Sequence, residues 1–244
     1  MEQNNFPQAQ TGNVIYGPDS ATTVRLFLAN VFSYMTLALV ISGVMAWWFA
    51  STPALYGYLF NTDADGFITG SSILGYVVMF APLGLVLLMG GLVNKMSGMM
   101  LMIAFFGFSA IMGISLCYIF FAYSMAVITS AVFGTMAVAG YTTKTDLTKM
   151  GSILMIGLIG IIIASVVNMF LKSDTMSYLV SIIGVVVFTG LTAYDVQRLK
   201  TMGEQVATGT ESAKKMALMG ALSLYLNFIN LFLMLLRLFG GNRN

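Results

Sequence analysis

Long apolar stretches alternate with short polar joins along almost the whole of this chain. The apolar runs cover residues 25–50, 73–93, 99–120, 125–141, 151–171, 176–194 and 216–239. A hydrocarbon core about 30 Å thick is crossed by about 20 residues of helix at about 1.5 Å per residue. The pattern therefore predicts an all-α membrane protein with seven transmembrane helices occupying residues 25–240. Residues 1–24 are polar and read as a cytoplasmic tail, and 241–244 as a short C-terminal tail. The run opened by Arg25 is too long for the brief apolar core of a signal peptide. The weakest boundary lies at 121–124, where no charge separates the third run from the fourth.

Composition agrees with this reading. Only 8% of the 244 residues are charged, against about 25% in a soluble domain. So few charges cannot keep a folded surface wet. The chain has no histidine, which excludes histidine-based triads, metal sites and haem ligation. The one cysteine, Cys117, lies in an apolar run, so neither an intrachain disulfide nor a paired-cysteine zinc or redox site can form. A net charge of +2 without a basic block gives no footprint for nucleic acid. No cofactor is implied.

The basic residues give an orientation, because Lys and Arg are retained on the cytoplasmic side. Arg25, Lys95, Lys144, Lys149, Arg198, Lys200, Lys214 and Lys215 fall on the side of the N-terminus, and Lys172, Arg237 and Arg243 on the other. That is 8 against 3 of the 11 available. The N-terminus is expected inside and the C-terminus outside. Trp47, Trp48, Tyr56 and Tyr58 would then form an aromatic belt at the outer interface.

The sequence shows no repeat of 20 to 50 residues, nor a clear inverted repeat of the transporter type. Small residues recur every four positions at Ala38, Ser42 and Ala46, at Ala126, Ser130 and Gly134, and at Gly160 and Ala164. Such faces allow the close helix approach on which membrane bundles depend.

An acid inside a membrane helix asks for an explanation, since at the helix centre it costs about 2.5 to 3.5 kcal/mol. The one candidate is Asp195. It lies roughly 28 Å along the sixth helix by helix rise, near the cytoplasmic boundary. It either pairs with Arg198 at i,i+3 on a wetted helix end, or points into the bundle as a titrating group. Ser223, Asn227 and Asn230 form a polar stripe on the last helix, at i, i+4 and i+7. The stripe should face protein or water. Ordinary interhelical hydrogen bonding is one reading of it, and a place beside a titrating Asp195 is the other. Asn227 would lie roughly 16 Å into a helix starting at Met216, deeper than Asp195. Either the last helix begins before Met216 or it is displaced toward the cytoplasm.

Three segments carry a family resemblance: Tyr-Thr-Thr-Lys-Thr-Asp-Leu-Thr-Lys-Met-Gly at 141–151, residues 191–200 with Tyr-Asp-x-Gln at 194–197, and the last run at 221–240. From about Arg25 to Gly240 the chain resembles the bacterial branch of the Bax inhibitor-1 (transmembrane Bax inhibitor motif) family. The resemblance implies the plasma (inner) membrane and a seven-helix bundle with the last helix central. It also implies a pore closed from the cytoplasmic side and a pH-sensitive calcium leak. In studied bacterial members two aspartates share a proton at the gate. The first maps onto Asp195. The second maps onto Asn227, an amide here, and the arginine that contacts the pair from the second span has no counterpart in 73–93. The candidate pore and gate residues are accordingly Asp195, Asn227, Asn230 and Ser223, with Tyr194 and Arg198 beside them.

Outside the bundle, Asn-Thr-Asp-Ala-Asp-Gly at 61–66 has the spacing of an EF-hand start, but Ser72 stands where the bidentate Glu is required. A polar turn is expected there, with Asp63 and Asp65 able to attract cations weakly. Two functions remain open. One is a passive cation pathway, for calcium above all, with Asp195 at its inner end and only weak, transient contacts to the ion. The other is a membrane-embedded regulator that binds other membrane proteins, such as a membrane-anchored protease, through residues 1–24 or 197–215. An enzyme is not expected, because neither a serine–histidine nor a two-aspartate intramembrane site can be assembled.

Overall fold

The computed structural model describes residues 20–63, 68–119, 123–206 and 209–240. Its helices are α1 (Ser20–Ser51), α2 (Pro53–Leu59), α3 (Ile73–Leu92), α4 (Gly98–Ser115), α5 (Tyr123–Thr142), α6 (Thr148–Leu171), α7 (Asp174–Gln205) and α8 (Glu211–Gly240). A 3-10 turn follows α4 at Cys117–Ile119. Among the described residues six helices, α1, α3, α4, α6, α7 and α8, are long and apolar enough to cross a membrane, and a shorter apolar helix covers Ala126–Thr142. The chain is a helical integral membrane protein.

Two expectations change. Helix α1 begins at Ser20, so residues 20–24 belong to the bundle and not to the tail; Val24 is buried beside Gly203 of α7. Residues 1–19 and 241–244 lie outside the described residues. The protein is also not purely helical. Strands β1 (Phe60–Thr62) and β2 (Ile68–Ser71) form an antiparallel hairpin after α2. Its few backbone groups pair with each other in a connection too short and polar to lie in lipid.

The last helix is the most enclosed. Its hydrophobic stretch is 61% buried, against 6% for α6; α8 is therefore wrapped by protein and α6 faces the surroundings. Helix α8 packs against α7, α1, α4 and α5. Its Tyr225 is fully buried, edge-on to Phe105 and Phe108 of α4. The Tyr225 hydroxyl lies 2.7 Å from Ser42 Oγ, which also lies 2.7 Å from the carbonyl of Ser109. One small polar knot thus joins α1, α4 and α8 within the buried core, and each hydroxyl has a partner there.

Close backbone approaches occur at particular glycines. A Cβ on Gly113 would lie 2.3 Å from the Ser42 carbonyl oxygen, and one on Gly140 would lie 2.2 Å from that of Ala193. The Ala38, Ser42 and Ala46 face is buried as expected. The face expected on the fourth run is not: Gly134 and Ser130 are exposed, and α5 buries Phe133, Ala137 and Gly140 instead. Gly160 is likewise exposed, and α6 meets α7 at Gly151 and Gly157.

Pro82 interrupts the hydrogen bonding of α3. A proline has no N–H, so the carbonyl four residues earlier, that of Val78, loses its helical donor. Ser115 Oγ of α4 donates to that carbonyl at 2.6 Å.

Candidate functional site

Tyr-Asp-x-Gln lies on α7, at 100° per residue, so its three defined side chains leave in different directions. Asp195 points at α8. Its Oδ2 accepts a hydrogen bond from Ser223 Oγ at 2.6 Å and another from Asn227 Nδ2 at 2.9 Å. Asp195 is 8% exposed and Asn227 7%. Both donors meet the same carboxyl oxygen, which can accept two hydrogen bonds through its two lone pairs. Tyr194 turns instead toward α6, where its ring fills the space above Gly151. Gln197 points at the α5–α6 connection: its Oε1 accepts from Leu147 N–H at 2.8 Å and its Nε2 donates to the Thr145 carbonyl at 2.8 Å.

Of the six residues expected to form the gate, the structure joins Asp195, Ser223 and Asn227 by hydrogen bonds. Asn230 is half-buried one turn further along α8 and makes no side-chain hydrogen bond among the described residues. Arg198 is exposed; it lines the same crevice as Asp195 and forms no ion pair with it. The i,i+3 pair is absent because Asp195 faces inward and Arg198 outward. Tyr194 packs away from the carboxyl. Asp63 is exposed in the hairpin connection, and Asp65 lies outside the described residues.

The apparent mismatch in depth between Asp195 and Asn227 disappears because both helices are longer than their apolar runs. Helix α7 continues to Gln205, and α8 starts at Glu211, five residues before Met216. Near this end a crevice of about 220 Å³ opens between α7 and α8, with Asp195 and Ser223 at its polar side and Met202, Met216 and Met219 around it. Flexible thioether side chains suit a crevice that can reshape.

Several contacts gather at the same end of the molecule. Glu211, the first residue of α8, accepts a hydrogen bond from Gly98 N–H, at the start of α4. A carboxylate there also complements the positive end of the α4 dipole. Lys200 Nζ donates to the Tyr141 carbonyl at 3.0 Å and stands 4.9 Å from the centre of that ring, closing the C-terminus of α5. Gly203 meets Phe27 of α1. The start of α1, the α3–α4 join, the α5–α6 join and the α7–α8 join therefore share one end of the bundle with Asp195.

Sequence reasoning missed the work of Gln197. Its signal was present, since Gln197 is the last defined position of Tyr-Asp-x-Gln, but the residues it clamps lie 50 and 52 positions away. No local pattern pairs them.

The fold and site define a polytopic α-helical membrane protein that holds one acid between its last two helices. The family model described as "Inhibitor of apoptosis-promoting Bax1" matches residues 24–244. The chain belongs to this family, the Bax inhibitor-1 family. It is 41% identical over 227 residues to the inner membrane protein YbhL of Escherichia coli K12, covering 90% of this chain and 93% of the relative. It is 44% identical over 224 residues to a protein of Borreliella burgdorferi, covering 89% and 93%. An uncharacterized membrane protein of Streptococcus pyogenes is 32% identical over 236 residues, with 94% and 98% covered.

Proposed function

We propose that this protein is a passive cation pathway, with calcium as the principal ion, whose inner end is closed by the link between Asp195 and α8. The observation that carries this reading is the buried carboxyl bonded to Ser223 and Asn227 at the crevice between α7 and α8. The orientation follows the basic residues, with the N-terminus and Asp195 toward the cytoplasm. Seven crossings are part of the proposal, the seventh being α5: its 20 residues span about 30 Å. The ends gathered beside Asp195 support it, since α5 must then run from the opposite end to this one.

The pH response is the point at which this chain should depart from its two-aspartate relatives. Two neighbouring carboxyls cannot both ionise freely, so they share a proton and titrate as a pair. Asn227 removes that constraint. An amide can donate through its NH2 or, turned over, accept through its carbonyl. The link to Asp195 can therefore persist in either protonation state, which makes the closure less sensitive to pH.

The test is calcium efflux from liposomes holding the purified protein, across pH 5 to 8. Wild type should leak with a shallow pH profile, Asp195→Asn should change the leak rate, and Asn227→Asp should introduce a steeper step. An Asn227→Asp profile superimposable on wild type sinks the pH reading. No flux above empty liposomes at any pH sinks the channel reading and favours a regulator that binds other membrane proteins.

A further inference from the structure

A second polar site lies at the other end of the bundle. Asn168 and Ser165 on α6, Ser177 and Val180 on α7, and Arg237 on α8 line a notch of about 320 Å³. Asp195 and Ser177 are 18 positions apart on one helix, hence about 27 Å by helix rise. The notch is therefore a hydrocarbon thickness from the carboxyl, at the level of the opposite interface. Trp47 and Trp48, exposed at the end of α1, and the exposed Tyr178 beside the notch fit that level, because such rings settle among headgroups.

The notch is built but its donors are not used up. Asn168 is engaged at both ends of its amide: its Nδ2 donates to Ser177 Oγ at 2.7 Å, and its Oδ1 accepts from Ser173 N–H at 3.0 Å. That holds the α6–α7 turn shut and fixes Ser177. By contrast, neither the Arg237 guanidinium nor the Ser165 hydroxyl has a hydrogen-bond or ion-pair partner among the described residues. The acid on this turn, Asp174, is exposed and forms no ion pair with Arg237. A guanidinium is a planar fork of donors that matches two oxygens of a phosphate.

The surroundings choose the source of that phosphate. Below the notch, Ile159, Ile162 and Ile163 of α6 and Ile182, Ile183 and Val186 of α7 are all exposed. Together they make an apolar wall running from the notch into the membrane. A free anion would use the notch alone. A molecule with a phosphate head and hydrocarbon tails would use both.

We infer that the notch at Arg237 is a binding site for a glycerophospholipid, its phosphodiester held by Arg237 and Ser165 and its acyl chains lying on the exposed faces of α6 and α7. This is independent of any ion pathway at Asp195, since the two sites share no residue.

The test is lipid retention on the purified full-length protein, released from mixed phosphatidylcholine and phosphatidylglycerol vesicles into a mass spectrometer. Wild type should keep one phospholipid after the rest are stripped. Arg237→Gln should lower the retained fraction about tenfold, the worth of one charge-assisted pair, and Arg237→Lys should fall between. Ser165→Val, which leaves the cation in place, should also weaken retention, and covers the case in which Arg237→Gln does not fold. Added inorganic phosphate should displace nothing. Equal retention by wild type and both Arg237→Gln and Ser165→Val overturns the proposal. Displacement of the lipid by inorganic phosphate overturns it too, in favour of a simple anion site.

Discussion

Ser115 supplies to Val78 the hydrogen bond that Pro82 takes away. The donor comes from α4 and the orphaned carbonyl from α3, at 2.6 Å, so a break in one helix is repaired by its neighbour. In lipid there is no water to do this instead.

Replacing Ser115 by Ala should therefore destabilise the protein by about 1–3 kcal/mol, the penalty for an unsatisfied buried carbonyl. Pro82→Ala restores an internal donor for Val78. In the Pro82→Ala background the Ser115→Ala cost should shrink, and a double-mutant cycle on thermal unfolding in detergent measures the difference. Additive effects would mean that the two residues act separately.

Gly140 and Gly134 lie on one helix and should behave oppositely. A Cβ on Gly140 meets the Ala193 backbone at 2.2 Å, whereas one on Gly134 meets nothing within 4 Å. Gly140→Ala should force α5 from α7 and cost about 1–3 kcal/mol. Gly134→Ala should be neutral or stabilise by up to about 1 kcal/mol through helix propensity. Melting temperatures of the two variants decide it.

Gln197 should govern the motion of the α5–α6 connection. Gln197→Ala removes both clamps and should speed amide hydrogen exchange across 143–148. Gln197→Glu keeps an acceptor for Leu147 N–H and loses the donor to Thr145, so its exchange should be intermediate. Unchanged exchange in both variants would show that the connection is held by something else.

Asp146 makes a pH-dependent contribution at the start of α6. Its Oδ1 accepts from Thr148 Oγ1 at 2.6 Å and from Thr148 N–H at 2.9 Å. These bonds, with the charge of Lys149 adding to them, hold its carboxyl below the usual value of 3.8. A depressed folded-state value means stability present above the ordinary carboxylate range and lost as pH falls through the folded value. The gap in melting temperature between wild type and Asp146→Ala should be open at neutral pH and close in acid. A gap that persists in acid would assign the effect to packing.

Much of this architecture was legible because lipid imposes one rule on every span. Each apolar run marks a helix, with ends displaced by only a few residues in most cases. The larger errors occur where the rule stops. Residues 198–205 and 211–215 are polar enough to read as a connection, yet α7 and α8 continue through them, because outside lipid a helix can expose polar side chains without breaking. The stripe of small residues on α5 misled for a different reason: small side chains permit close approach but do not compel it, and Phe133 on another face binds α5 to Phe228 of α8. Asp195, Ser223 and Asn227 stood out because polar groups are scarce in this chain. Gln197 and Ser115 act on distant backbone atoms, which no periodicity reveals.

The arrangement of Tyr194, Asp195 and Gln197 on three faces of α7 limits how the acid can be released. Turning the side chain alone breaks two hydrogen bonds and leaves the rest of the helix undisturbed. Rotating α7 breaks those two, both Gln197 bonds to the α5–α6 connection, and the seating of the Tyr194 ring over Gly151. The helix is in effect a spindle pinned at three points around its circumference. A movement confined to the carboxyl disturbs α8 alone, whereas a rotation of α7 must disturb the α5–α6 connection, α6 and α8 together.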